Sequence, residues 1–374
     1  MTADPRTAAD SRAAGDSRAA ADSRAAVAPG FVADADSGEE RLVVAGVEVA
    51  RYLVRPDLDP RHGPRPYLHP VRTRAGTPVT DAIPADHVWH LGASLTVPDV
   101  AGANFWGGRT YVRGTGYTWR DDHGVIAHTG WRERTADRLD HDLDWRDADG
   151  RTLLREHRRL TAAPAGDDAW RLDLSATFTS ATGADVHLGS PATNGRPGGA
   201  GYGGFFWRAV AGPEPRVCTV DAAGEEAVNG SAAPWLALSG AGPGGAAYTL
   251  VFSGLGPGDR WFVRTAMYPG VCVAYAFDRP AVVAADRPRH NRHRVLVVDG
   301  HLDRAEVAER MAAPVSARSE PGLRAPQSRT KVGTVSARSE PGLRAPQSRT
   351  KVGTVSARSE PGSRAPQSRT RGTP

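Results

Sequence analysis

The stretch Asp86-His87-Val88-Trp89-His90 sets a carboxylate, two imidazoles and an indole within five positions. Imidazoles transfer protons near neutral pH, a carboxylate can orient one of them, and an indole face can hold the C–H surface of a ring. Six of the twelve histidines fall between His62 and His128, so the chemistry belongs to a neighbourhood. The same His87, His90 and Asp86 are also donors that a divalent metal accepts, which is the competing reading. On a straight strand, side chains three apart point to opposite faces, so both imidazoles reach one substrate or one ion only if the chain bends between them. No Gly or Pro separates the two.

Four further clusters accompany this one. Arg65-Pro-Tyr67-Leu-His69-Pro-Val-Arg72 reads as an extended edge segment with Tyr67 and His69 on one face. Asn104-Phe-Trp106-Gly-Gly-Arg109 joins an amide, an indole and a guanidinium. Gly124-Val-Ile-Ala-His128-Thr-Gly-Trp131 places His128 on an apolar strand. A long Gly-rich loop from Ser190 carries Asn194, Arg196 and Tyr202 into the aromatic strand ending at Trp207. Gly-rich loops let a backbone approach a ligand, while Asn and Arg bind hydroxyls or a carboxylate. The five clusters are expected to form one pocket. His87 and His90 are the proton-transfer candidates, with His128 as a third and Asp86 orienting one imidazole. Arg72, Asn104, Asn194 and Arg196, beside Tyr67 and His69, are expected to hold substrate oxygens, and Trp106, Tyr202 and Trp207 to form stacking walls.

Gly240-Ala-Gly242-Pro-Gly-Gly245 matches the dinucleotide G-x-G-x-x-G pattern only formally. That pattern needs a helix after it, and the strand-like AAYTLVF follows, so a hairpin loop is expected. No cofactor is expected, a divalent metal being the alternative.

The elements that must position these residues are strands. AWRLDLSATFTS alternates, with Trp170, Leu172, Leu174, Ala176 and Phe178 on one face. RLVVAGVEVARYLV, AAYTLVF, RWFVRTAMY, GVCVAYAF and HRVLVVDG continue the series, and a polar Asp-Asp-His-Gly turn separates two candidate strands in TWRDDHGVIAHTGWRER. One helix is predicted, LDRAEVAERMA from Leu302. Without βαβ alternation, residues 38–311 are expected to form one all-β domain, a large antiparallel β-sandwich.

Repeats flank this domain. The motif DSRAA recurs with a period of six from Asp10, and a 20-residue unit beginning VSARSEPG occurs three times from Val315 to the end. Neither carries an apolar stripe worth the entropy of ordering it, so 1–37 and 312–374 are expected to be disordered. With four basic residues and one acidic residue each, the three long repeats carry +9 of a chain total of +5, leaving −4 for residues 1–314. The basic character is thus confined to the tail. All nine Trp lie between Trp89 and Trp261 and none in that tail, so specific nucleic-acid binding is not expected. Residues 227–258 lack charge but contain eleven Gly or Pro, which rules out a lipid-exposed helix. No apolar leader stands in 1–37, and Cys218 and Cys272 sit in strand-like runs as free thiols, so a cytoplasmic location is expected.

RPYLHPVRTRAGTPVTDAIPADHVWHLGASL, NFWGGRTYV, GVIAHTGW, TNGRPGGAGYGGFFWRA and WFVRTAMYPGV together resemble an uncharacterised, largely actinobacterial family often labelled "methane oxygenase PmoA". The resemblance spans about residues 42–300 and excludes both repeats. Methane oxidation does not follow from it, because the membrane subunit of that name has spanning helices and this chain has none. The resemblance implies a large sandwich similar to the galactose-mutarotase supersandwich, and a carbohydrate setting near Gfo/Idh/MocA-type sugar oxidoreductases. Family members usually carry a second His directly after the position of His90, where this chain has Leu91, which weakens a paired-imidazole or two-metal mechanism here.

The expected function is therefore an enzyme acting on a sugar or oxidised sugar by acid–base chemistry, as a lyase, hydrolase or epimerase. The alternatives are a non-catalytic sugar-binding or scaffold partner of a neighbouring oxidoreductase, and a metal-dependent oxygenase.

Overall fold

Ala169–Ser180 forms one unbroken strand with the alternation its sequence dictates, since Trp170, Leu172, Leu174, Ala176 and Phe178 are all buried. It lies between Thr152–Pro164 and Arg289–Asp299, with Leu172 opposite Ala162 on one side and Val295 on the other. The structure, a computed structural model, describes residues 30–33, 38–135 and 138–313. The two sets of repeats expected to be disordered lie outside these residues.

Two eight-stranded antiparallel sheets face each other. The first runs, in spatial order, Gly30–Ala33, Glu39–Val44, Val47–Leu53, Tyr67–Val71, Ala93–Thr96, Gly204–Arg208, Gly270–Ala274 and Arg260–Arg264. The second runs Arg216–Thr219, Trp235–Ala241, Ala247–Ser253, Arg289–Asp299, Ala169–Ser180, Thr152–Pro164, Arg138–Arg146 and Val125–Thr135. One apolar core fills the space between them, from Leu42 and Phe205 on the first sheet to Leu172 and Val297 on the second. The expected all-β sandwich is the observed fold. Trp145, Trp170, Trp207 and Trp261 are its largest fully buried side chains, and each indole N–H finds an oxygen: Glu156, Arg72, Val79 and Ala233 respectively.

The Gly240–Gly245 run joins Trp235–Ala241 to Ala247–Ser253 as a hairpin loop, and the C-terminal helix Arg304–Ala312 starts at a capping box between Asp303 and Glu306. Cys218 and Cys272 are free thiols. Among the described residues no helix is long and apolar enough to cross a membrane.

One expectation changes. Gly30–Ala33 lies within the N-terminal segment assigned to disorder, yet it pairs with Glu40–Val43, its short apolar run finding an open sheet edge. The Asp-Asp-His-Gly segment separates two strands as expected, and the two do not pair with each other. The strand before it, Gly116–Thr118, pairs with Thr110–Val112 in a separate ribbon, and the strand after it, Val125–Thr135, pairs with Arg138–Arg146. Asp122, His123 and Gly124 are instead tied to the 104–108 loop. The Asn104 N–H donates to the Asp122 carbonyl, the Gly124 N–H donates to the Asn104 carbonyl, and His123 Nε2 lies 2.7 Å from the Gly108 carbonyl.

Candidate functional site

Strand parity in the first sheet creates the site. On Gly204–Arg208, Phe205 and Trp207 enter the core between the sheets, so Phe206 and Arg208 project from the opposite face. Phe206 lies opposite Ser94 and Cys272, and Cys272 opposite Phe262, which makes one row across four strands. Loops cover this outer face, and Trp106, with Trp89, Tyr202 and Tyr268 beside it, packs on the row as a second aromatic cluster. A cavity of about 440 Å³ opens above it, a size that suits a small organic ligand.

The 83–92 segment is not a strand. Its backbone folds into consecutive turns, in which the His87 N–H donates to the Pro84 carbonyl and the His90 N–H to the His87 carbonyl at 2.8 Å. That bond brings positions three apart together, so the chain bends without a Gly or Pro between the two imidazoles. His87 and His90 stack at 4.6 Å with planes 12° apart, and both line the cavity.

Their surroundings differ. His90 is buried, in ring contact with Trp106, Phe206 and Tyr268. Burial, and then the positive charges of His87, Arg208 and Arg65, push its pKa well below the usual value. Arg208 Nη1 lies 3.2 Å from His90 Nδ1. A guanidinium only donates, so Nδ1 carries the lone pair and Nε2 the proton. His87 is the more exposed ring, and its Nδ1 lies 2.9 Å from Asp86 Oδ2. In neutral His87 that carboxylate holds the proton on Nδ1, leaving the Nε2 lone pair as the basic position. Asp86 also accepts from Arg208 Nη2 at 3.0 and 3.1 Å. Burial raises the Asp86 carboxyl, but the hydrogen bonds from His87 and Arg208 outweigh it and hold the pKa below the usual value.

These contacts also test the metal reading. A cation would need Asp86, His87 and His90 to turn lone pairs towards one point. Instead a guanidinium bridges Asp86 and His90, and both Asp86 oxygens and His90 Nδ1 already face it. The three residues do not fit an ion, and among the described residues no group of three or more His, Cys, Asp or Glu is arranged to hold one.

Two buried groups hold the walls. The Arg65 guanidinium donates to Ser94 Oγ and to the carbonyls of Gly63, Trp89 and Trp106, fastening both indole-bearing loops to the row beneath. Burial lowers its pKa to about 9, so it remains charged at neutral pH. Asn104 Oδ1 accepts the N–H groups of Trp106 and Gly107, and Nδ2 donates to Thr110 Oγ1. At Gly108, with φ +69°, a Cβ would stand 2.6 Å from the Trp89 ring. Only glycine lets that indole lie flat on the loop.

Elsewhere on the lining, the Tyr202 and Tyr117 hydroxyls meet at 2.8 Å, and the Arg196 guanidinium lies over the Tyr117 ring at 4.9 Å and donates to its hydroxyl. Arg109 lies over Trp119 at 5.8 Å and Arg264 over Phe262 at 4.4 Å. Of the large apolar side chains exposed on the described surface, Met267, Trp119 and Tyr117, at 71%, 49% and 36%, all line this mouth.

The expected site residues thus divide. His87, His90, Trp106, Arg196 and Tyr202 line the cavity, with Asp86 and Asn104 immediately behind it. The other six do not. Trp207 is a core residue because parity turns it inward, and Phe206 faces the other way, into the aromatic cluster beneath the cavity. His128 lies on the second sheet, its Nδ1 2.9 Å from His141 Nδ1. His69 faces Thr80, Arg72 caps its own turn at the Gly76 carbonyl, and Tyr67 is buried in its strand. Asn194 donates to Asp99. From the 65–72 cluster, Arg65 serves the site. Among the residues that sequence reasoning missed, Phe262, Arg264 and Tyr268 stand in RWFVRTAMYPG, where alternation about Trp261 was the available signal; Tyr117 and Trp119 carried none.

No curated protein matches the chain. The model of a family of unknown function, DUF6807, matches residues 40–312, which takes in both sheets from Glu39–Val44 onward, the C-terminal helix and every residue of the cavity, and the chain belongs to that family.

Proposed function

We propose that the cavity binds a sugar or oxidised sugar and that His87 moves a proton on it, as in a lyase, hydrolase or epimerase. The observation that carries this reading is the Asp86–His87 hydrogen bond at the edge of an aromatic cavity. A carboxylate holds one ring nitrogen and leaves the other as the base, next to indole and phenol faces that suit the C–H surfaces of a pyranose. His90, buried and neutral, serves as a packing partner for the His87 ring and as the acceptor that fixes Arg208. The sequence resemblance to chains found near sugar oxidoreductases supports the substrate class and makes such an enzyme the partner to expect.

The test is to incubate the native protein and His87→Gln with a panel of hexoses, keto-sugars, sugar acids and glycosides and to follow the sugar by proton NMR. The native protein should convert at least one member, and His87→Gln should bind it without converting it. If both proteins bind sugars alike and neither changes them, the catalytic part of the reading falls and a binding module remains.

A further inference from the structure

Several strand arginines of this protein are matched to carboxylates: Arg158 meets Glu156, Arg289 meets Asp259, and Arg171 and Arg294 share Asp173. The lining of the cavity is different. Three guanidiniums, Arg109, Arg196 and Arg264, line it, and no carboxylate does. Arg264 has Glu225 at 3.6 Å. Arg109 and Arg196 have no carboxylate within ion-pair distance among the described residues; Arg109 lies over the Trp119 ring, and Arg196 lies over the Tyr117 ring and donates to its hydroxyl. Tyr117 and Trp119 are two apart in sequence, so the two cation–ring pairs stand about 7 Å apart along an extended chain.

A cleft of one charge sign with low-dielectric walls concentrates its field on whatever enters. Guanidinium forks match a carboxylate with two parallel hydrogen bonds, and an aromatic neighbour holds the fork flat without neutralising it. We infer that the ligand of this cavity carries a carboxylate, a sugar acid of the uronate or aldonate class, received by Arg109 and Arg196 while its carbon skeleton lies against Trp106 and Tyr202. This deepens the sugar reading above and rests on it.

The test compares glucuronate, glucose and acetate by quenching of tryptophan fluorescence in the full chain, with Trp89, Trp106 and Trp119 as reporters. Glucuronate should bind at least tenfold more tightly than glucose. The preference should vanish in Arg109→Gln/Arg196→Gln, whose unchanged melting temperature would show that the fold is intact, and it should weaken as salt rises from 0.05 to 0.5 M. Equal binding of glucuronate and glucose would overturn the charge inference and leave the sugar reading standing. Acetate binding as tightly as glucuronate, with no binding of glucose, would keep the anion site and overturn the sugar reading. Binding of none of the three would overturn both.

Discussion

His87 and His90 stack face to face at 4.6 Å, and one carboxylate and one guanidinium divide them: Asp86 holds His87, and Arg208 donates to His90 while also binding Asp86. Two protonated imidazoles at this separation would repel by about 4 kcal/mol at an effective dielectric constant of 20. Only one ring can readily carry the charge, and the Arg208 contact assigns neutrality to His90.

The two histidines should therefore fail differently when replaced. His87→Gln removes a partly exposed ring and leaves the Arg208 contacts with His90 and Asp86 in place, so its melting temperature should fall little while turnover on the accepted sugar falls about 10²–10⁴-fold, the usual worth of a general base. His90→Ala removes the acceptor of a buried guanidinium and a ring touching Trp106, Phe206 and Tyr268, and should cost about 2–4 kcal/mol of stability. Thermal melts and turnover on both variants decide it. A His87→Gln protein with native turnover would remove that ring from the chemistry.

The site was legible where chemistry and local sequence coincide, and illegible where parity or a long-range anchor decides. DHVWH advertised itself by composition, but its turn geometry did not, because neither Gly nor Pro marks the bend and the bonds closing it are backbone ones. Trp207 and Phe206 illustrate the second case. Both are aromatic, adjacent and in a strand, and nothing local says which of them faces the other sheet. The fold was legible because alternation such as that of Ala169–Ser180 needs no partner to be read. Arg65 was invisible as an anchor because its acceptors, the carbonyls of Trp89 and Trp106, are 24 and 41 residues away.

Parity makes a prediction of its own. Trp207→Ala should lose about 3–5 kcal/mol by opening the core between the sheets. Phe206→Leu, on the cavity side, should cost less than half of that, while weakening sugar binding, because it removes a ring beneath His90 and Trp106. Denaturant melts with sugar titration separate the two. Equal stability losses with equal binding would contradict the division of faces.

Gly108→Ala should act through one ring. The new methyl would stand 2.6 Å from Trp89 at a φ of +69°, so the indole must leave its place. A loss of about 1–3 kcal/mol is expected from backbone strain and displaced packing. In a Trp89→Ala background the same substitution should lose only the backbone part. A double-mutant cycle without coupling would mean that Trp89 does not rest on this glycine.

Acid should destabilise the protein well before its carboxylates titrate. Burial lowers His293 to about 4, against the opposing hydrogen bond with the Gly254 carbonyl, and burial also lowers His90 and His141. In the unfolded chain each takes up a proton near pH 6.5, whereas the folded state refuses it. Between these limits the unfolded state binds more protons, so stability is full above pH 6.5 and declines as pH falls below it. His293 alone should remove about 1.4 kcal/mol per pH unit until its folded pKa is reached. The lowered Asp86 and Asp140 carboxyls act in the same direction, but only as pH drops through the carboxylate range. The melting temperature should therefore fall steadily from pH 7 to pH 5, and His293→Gln, whose amide can keep one contact to Tyr275 or Gly254 and takes up no proton, should flatten the slope while lowering the plateau. A melting temperature independent of pH across that window would show that these imidazoles are not held neutral in the folded protein.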